Sequence, residues 1–160
     1  MVRVHLRLDL GLVRQGVSLG VQYGLRSLEV LGSFAELIEH SVYEPASLRR
    51  TADGFGFTLR NPPLRMGAFS ALRLLLDGVP VPPDSAFLQP GGRPDAIPFS
   101  ALSAAHPVEI PIGRRTRITV RHPPVDDGRH HVRLEFQNVA IPPLVWFEFE
   151  DMVREEETAA

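Results

Sequence analysis

The residues in this chain best suited to chemistry by type and spacing lie in the stretch DDGRHHVRLEF, Asp126 to Phe136. Asp126, Asp127, His130 and His131 offer carboxylate and imidazole donors, the ligand set that suits zinc, manganese or iron. Their spacing works against a shared ion. In a strand that starts at His130, adjacent histidines point to opposite faces. Asp-Asp-Gly is more simply a turn that feeds the strand. The remaining histidines, at positions 5, 40, 106 and 122, are scattered. They form no H-E-x-x-H pair and no Ser-His-Asp order. With no cysteine there is no thiolate nucleophile, zinc-thiolate site or disulfide scaffold. No glycine-rich turn between a strand and a helix marks a nucleotide site. The sequence therefore assigns no catalytic residue, and it assigns no metal or other cofactor to this chain.

Two further groups could bind without catalysing. Arg115, Arg117 and Arg121 alternate to one side of a strand, with Arg133 expected opposite them on the next. Such a face could hold phosphate or an RNA backbone. It lacks the aromatics that stacking needs, and a solvated outer face partly paired with Glu135 accounts for it more simply. All 17 basic residues are arginine, yet the formal charge is -2, a balance that argues against nucleic acid as partner. The second group is PPLVWFEFEDM near the C-terminus. Trp146 shares its side of the strand with Glu148 and Glu150, while Phe147 and Phe149 face the core. A tryptophan on the polar face suits a partner interface, and one that caps the sandwich edge suits the pattern equally well.

The elements that must position these residues are strands. Period-two alternation marks residues 2–10, 17–25, 55–59, 117–121, 132–137 and 145–150 as strands, and the mostly apolar run 69–76 reads as a central strand. The first two read as a hairpin about Arg14-Gln15-Gly16. Asp77-Gly78 is the strongest hairpin signal in the chain. One short helix is expected from the capping box Ser33-Phe34-Ala35-Glu36, ending near His40. Gln89 to Pro98 reads as a loop. Four Pro-Pro pairs, at 62–63, 82–83, 123–124 and 142–143, punctuate the strands. The fold expected is mainly β: an antiparallel β-sandwich with one short helix and an N-terminal hairpin. Residues 1–46 form the hairpin and helix, residues 47–153 the sandwich, and residues 154–160 an acidic tail. No apolar run reaches the length of a membrane span and residues 1–12 do not read as a leader, so the chain is expected to be cytoplasmic with no membrane partner.

The stretch SLRRTADGFGFTLRNPPLRMGAFSALRLLLDGVPVPPD resembles the small β subunit of C-glycoside deglycosidases. The matching residues are Gly56, Phe57, Leu59, Arg60, Arg65, Gly67, Asp77 and Gly78, followed later by Gly128, His130 and Val132. The chain departs from the family where His131 directly precedes Val132, where Pro123 to Asp127 replaces a glycine-rich turn, and where Leu64 replaces an aromatic. The resemblance covers about residues 47 to 150. It implies a compact β-sandwich paired with a larger, barrel-type, sugar isomerase-like α subunit. That partner would hold the divalent metal and the acid/base residues and cleave the carbon–carbon bond of a 3-oxo-C-glycoside. This chain would stabilise the barrel and help shape its pocket, with Arg60 and His130 as its contributors. A homo-oligomer is also compatible with the sequence. The rival readings are a stand-alone β-sandwich binding module and a self-sufficient hydrolase or metal enzyme.

On the subunit reading, the link Asn61 to Gly67 presents Leu64, Arg65 and Met66 as interface anchors beside Trp146. Two prolines stiffen it, so docking orders little new chain. Arg65→Glu should then weaken co-purification with a barrel-type partner while leaving the melting temperature nearly unchanged. A variant that unfolds instead speaks against the interface role.

Overall fold

The computed structural model describes residues 2–7, 42–60, 68–121, 125–138 and 144–155. Twelve strands run through them: β1 (Val2–Arg7), β2 (Arg49–Thr51), β3 (Gly54–Arg60), β4 (Ala68–Leu76), β5 (Val79–Pro80), β6 (Ala86–Pro90), β7 (Ile97–Pro98), β8 (Val108–Glu109), β9 (Arg115–Arg121), β10 (Arg129–Asn138), β11 (Leu144–Met152) and β12 (Arg154–Glu155). The first sheet has the order β1-β11-β10-β4-β5, with β8 also paired to β4, and the second has the order β12-β2-β3-β9-β6-β7. Every pairing is antiparallel except the short β12–β2 contact. The chain is mainly β, with two sheets facing each other across one core. Among the described residues the only helical turns are the 3-10 segments Pro83–Ser85 and Phe99–Ala101, and no helix is long and apolar enough to cross a membrane.

Alternation builds the core as the pattern demands. Phe55, Phe57 and Leu59 of β3, Ile118 and Val120 of β9, Val132, Leu134 and Phe136 of β10, and Phe147 and Phe149 of β11 are all buried. β4 breaks strict alternation, because Phe69 and Leu72 are both buried. The cause is a register shift between Gln137 and Asn138 on β10, which turns the inward face over by one residue. Phe57 of the second sheet meets Phe149 of the first edge-on at 5.3 Å, and Tyr43 stacks on Phe149 at 3.6 Å. Val42 and Tyr43 thus share the same core as the sandwich, and β1 pairs along its length with β11, from Val2↔Phe149 to Arg7↔Leu144.

Two sequence expectations are corrected. Gln89 to Pro98 is not all loop: Gln89 and Pro90 close β6, and Ile97 and Pro98 form β7. These strands are short and carry proline, which hides them from composition. Pro80 and Pro98 sit on the edge strands of their sheets, where a missing amide costs little. Arg133 does not stand beside the arginines of β9. It lies on β10 in the other sheet, and the neighbours of β9 are β3 and β6. The second arm of the expected N-terminal hairpin, the helix from Ser33 and the link Asn61 to Gly67 fall outside the described residues.

Asp77-Gly78 is the two-residue turn the sequence predicts. Asp77 has φ 50° and Gly78 φ 80°, the paired positive values of a tight hairpin turn, and Leu76 pairs with Val79 across it.

The inter-sheet aromatics give a direct stability test. Phe149→Ala should cost about 3–5 kcal/mol of unfolding free energy by urea titration, whereas Met152→Ala, at a side chain 47 % exposed, should stay within about 0.5 kcal/mol.

Candidate functional site

The acid/base residues singled out by type gather at the end of the first sheet where β4 turns into β5 and β10 begins. The Asp77 backbone, bent by its positive φ, aims its carboxylate at β10. One carboxylate oxygen accepts from the His130 ring at Nδ1 over 2.7 Å, and the other accepts from the His131 amide over 2.9 Å. The Asp77 amide in turn donates to the His131 carbonyl at 2.8 Å. The other ring nitrogen of His130, Nε2, lies 2.9 Å from the Asp126 carbonyl oxygen. Both ring nitrogens therefore face acceptors, and only the doubly protonated imidazolium satisfies both at once.

The titration behaviour follows from this geometry. Burial opposes the charged ring, whose side chain is 14 % exposed. The hydrogen bonds to Asp77 and to the Asp126 carbonyl outweigh it and hold the His130 pKa above the usual histidine value. Asp77 moves the other way. Partial burial favours its neutral form, but the His131 amide and the His130 ring overcome this and hold its carboxyl below the usual range. His130 thus serves as a charged clamp between a turn and a strand start. With no ring nitrogen left over, it is not placed to accept a proton from a substrate.

A second pair lies alongside. Asp151 is the register partner of His130 on β11, and it accepts a hydrogen bond from the Tyr43 hydroxyl. Burial and that hydrogen bond push the Tyr43 phenol well above its ordinary range. Tyr43 is thus a neutral donor fixed to a carboxylate, the opposite of an activated phenolate.

The four residues considered as metal ligands do not converge. His130 is engaged at both nitrogens. His131 turns to the other face, where its Nε2 lies 3.5 Å from Glu148. Asp127 pairs with Arg50, which also donates to the Val125 carbonyl. Among the described residues no three His, Asp or Glu side chains form a metal-binding group.

The residues expected to act together are separated. Arg50 ties the start of β10 to the Gly54 end of β3. Arg60 is exposed at the far end of that seven-residue strand, about 20 Å along it at ordinary strand rise. Arg60 thus stands on β3 of the second sheet and His130 on β10 of the first. Leu64, Arg65 and Met66 lie outside the described residues.

Trp146 sits elsewhere again, on the outer face of the first sheet, half-buried and opposite Glu135. The Arg133 guanidinium lies over its ring, 4.6 Å from the centroid. Arg133 also pairs with Glu135 at 2.7 Å, and Arg73 approaches Glu135 from β4 at 3.7 Å. Glu135 is only 7 % exposed although it points away from the core. Sequence reasoning placed Glu135 partly against the arginine face of β9 and missed the closing of Arg73, Arg133, Glu135 and Trp146 into one patch. That patch depends on cross-strand register, and no local pattern encodes it.

No protein-family model matches the chain, and no curated protein matches it in sequence.

The clamp predicts a pH signature. A histidine with a raised folded-state pKa adds stability that is full below about 6.5 and is lost as pH climbs through the folded value, while the lowered carboxyl of Asp77 adds stability that is lost only below about 4. His130→Asn should cost about 1 kcal/mol near pH 5.5, after allowance for the solvent screening at half-exposed Asp77. The deficit should shrink as pH rises into the alkaline range. Thermal melts of both proteins from pH 4 to 9 read the difference, and a deficit that grows with pH contradicts the assignment.

Proposed function

We infer that this chain is a non-catalytic accessory subunit that docks a larger enzyme through the outer face of its first sheet. The specific form of the reading is the small β subunit of a C-glycoside deglycosidase-like complex. In such a complex the barrel-type α subunit holds the divalent metal and cleaves the carbon–carbon bond of a 3-oxo-C-glycoside. One observation carries the docking role: the patch of Trp146, Arg133, Glu135 and Arg73 is assembled in the free chain. Tryptophan and arginine are the side chains that most often dominate binding energy at interfaces. Here each is held in place by a neighbour, so little side-chain freedom remains to be lost on association.

Two features support the family-specific part. Asp77 and His130, from the two segments behind the resemblance, are 53 residues apart in the chain yet bond directly to each other. They behave as parts of one structural unit, which is how a recurring framework motif acts. The departures from the family pattern support the same division of labour, because His131 is taken up by Glu148 on the outer face. The ionisable groups at the β10 corner serve the scaffold, and the chemistry belongs to the partner.

The test is co-expression with a barrel-type sugar isomerase-like protein, followed by size-exclusion chromatography and an assay of 3-oxo-C-glycoside cleavage. The isolated chain should show no turnover and the complex should show it. Trp146→Ala should weaken the complex at least tenfold, with a melting temperature within a few degrees of wild type. Turnover by the isolated chain, or a monomer indifferent to the barrel protein and to Trp146→Ala, would overturn the reading.

A further inference from the structure

Two turns at one end of the second sheet share a pattern that neither the core nor the docking face requires. Pro90-Gly91-Gly92-Arg93 leads out of β6, and Pro111-Ile112-Gly113-Arg114 leads into β9. In each, the amide of the arginine donates to the carbonyl of the proline, over 3.0 Å in the first and 3.3 Å in the second. In each, the third residue is a glycine at positive φ, 92° for Gly92 and 66° for Gly113. This fits the type II turn, whose third position is open to glycine and strained for most other residues. The same local chemistry thus delivers an arginine at the fourth position twice.

The two turns are packed on each other. Pro90 is the register partner of Thr116 on β9, so the chain that follows it runs beside Arg115 and Arg114. A Cβ on Gly91 would come within 2.5 Å of the Arg115 carbonyl oxygen and 3.2 Å of the Arg114 Cβ, an approach that needs glycine. The Gln89 side-chain amide donates to the carbonyls of Arg93 and Pro94, at 3.3 Å and 3.0 Å, and so holds the far side of the first turn. Arg93 and Arg114 therefore leave one fixed ridge. Both are exposed. Arg115 is taken up by Glu44 at 2.9 Å, but among the described residues no carboxylate lies within ion-pair distance of Arg93 or Arg114. Asp95, exposed on the same loop as Arg93, pairs with neither.

The second position of the turns selects the kind of partner. Where the first turn has Gly91, the second has Ile112, a large apolar side chain 46 % exposed. An isolated exposed isoleucine is ordinary on a protein surface. On a ridge with two guanidinium groups that no described carboxylate engages, it makes a mixed contact surface of apolar and charged anchors, the composition enriched where proteins meet. A free anion such as phosphate would use the arginines and leave Ile112 in water. Single-stranded nucleic acid would need a ring to stack on, and neither turn contains an aromatic. A peptide that carries carboxylates beside an apolar side chain uses all three groups, and turns already held by hydrogen bonds lose little freedom in meeting it. We propose that these twin turns dock an acidic segment of a partner protein, with Arg93 and Arg114 pairing to its carboxylates and Ile112 packing against its apolar side chain. The proposal is independent of the docking role of the first sheet, since it uses none of the residues around Trp146.

Fluorescence anisotropy with the full chain tests it, using a short labelled peptide of glutamates interspersed with leucine. Comparison peptides carry glutamine in place of glutamate, or serine in place of leucine. Inorganic phosphate and a single-stranded oligonucleotide of equal charge serve as competitors. The Glu–Leu peptide should bind one site, weaken as salt is raised from about 50 to about 500 mM, and bind roughly fivefold or more tighter than either comparison peptide. Arg93→Gln and Arg114→Gln should each raise its Kd roughly fivefold, and Ile112→Ser about threefold, while Arg129→Gln, on the other sheet, leaves it unchanged. Circular dichroism melts check that the variants are folded, and because Arg93 and Arg114 stand on separate turns, either variant carries the test if the other is not. Four outcomes would each overturn the proposal: no binding of the Glu–Leu peptide, equal binding of a comparison peptide, tighter binding of phosphate or oligonucleotide, or equal losses in the ridge and control variants.

Discussion

The two sheets of a sandwich share no backbone ladder, so side chains alone hold them in register. In this chain the coupling centres on Phe149. Tyr43 stacks flat on its ring and Phe57 of the opposite sheet meets it edge-on. Phe147 and Phe136 extend the aromatic row along the first sheet. These contacts are non-polar and directional, which suits aromatic rings with negative faces and positive edges. They also fix the polar chemistry at the sheet's end. Once Tyr43 is laid on Phe149, its hydroxyl has Asp151 within reach, and a buried hydroxyl needs such a partner.

The same end of the molecule shows what its ionisable groups do. Tyr43 is tied to Asp151, His130 to Asp77 and the Asp126 carbonyl, and Asp127 to Arg50. All but the His130–Asp126 contact join segments distant in sequence, and the shifts at Tyr43, Asp77 and His130 favour the protonation states that hold the fold. A catalytic histidine needs one nitrogen to exchange protons with a substrate; His130 has both turned toward the protein. The two outer faces then differ in character. The first is centred on a tryptophan and an arginine already in contact, and the second carries the arginines of β9.

Much of this was legible in the sequence, for identifiable reasons. The strands β3, β9, β10 and β11 announce themselves because each is half-buried, and half-burial imposes period two, while β4 shows as a mostly apolar run. Asp77-Gly78 was readable because few residue pairs accept two successive positive φ values. The mainly-β, two-sheet fold follows from these. What stayed hidden depends on pairing between distant strands. Nothing near Asp77 reveals that its carboxylate meets His130, and nothing near Arg133 reveals that β10 joins β4 and β11 rather than β9. β6 and β7 were lost because they are short and proline-bearing, and with them went Phe87, an aromatic beside Arg121 of β9. His130 was read from the sequence as a possible pocket residue or metal ligand, and residue type alone could not distinguish either from a clamp.

The claim that carries the scaffold reading is the charge state of His130, and nitrogen-detected NMR of the imidazole reads it directly. Followed across pH, long-range proton–nitrogen correlations should show both ring nitrogens of His130 staying protonated to a higher pH than those of an ordinary histidine. Asp77→Asn should return the ring toward ordinary histidine titration. A His130 that loses a ring proton at or below the pH of an ordinary histidine, unaffected by Asp77→Asn, would contradict the account and restore this residue as a potential base.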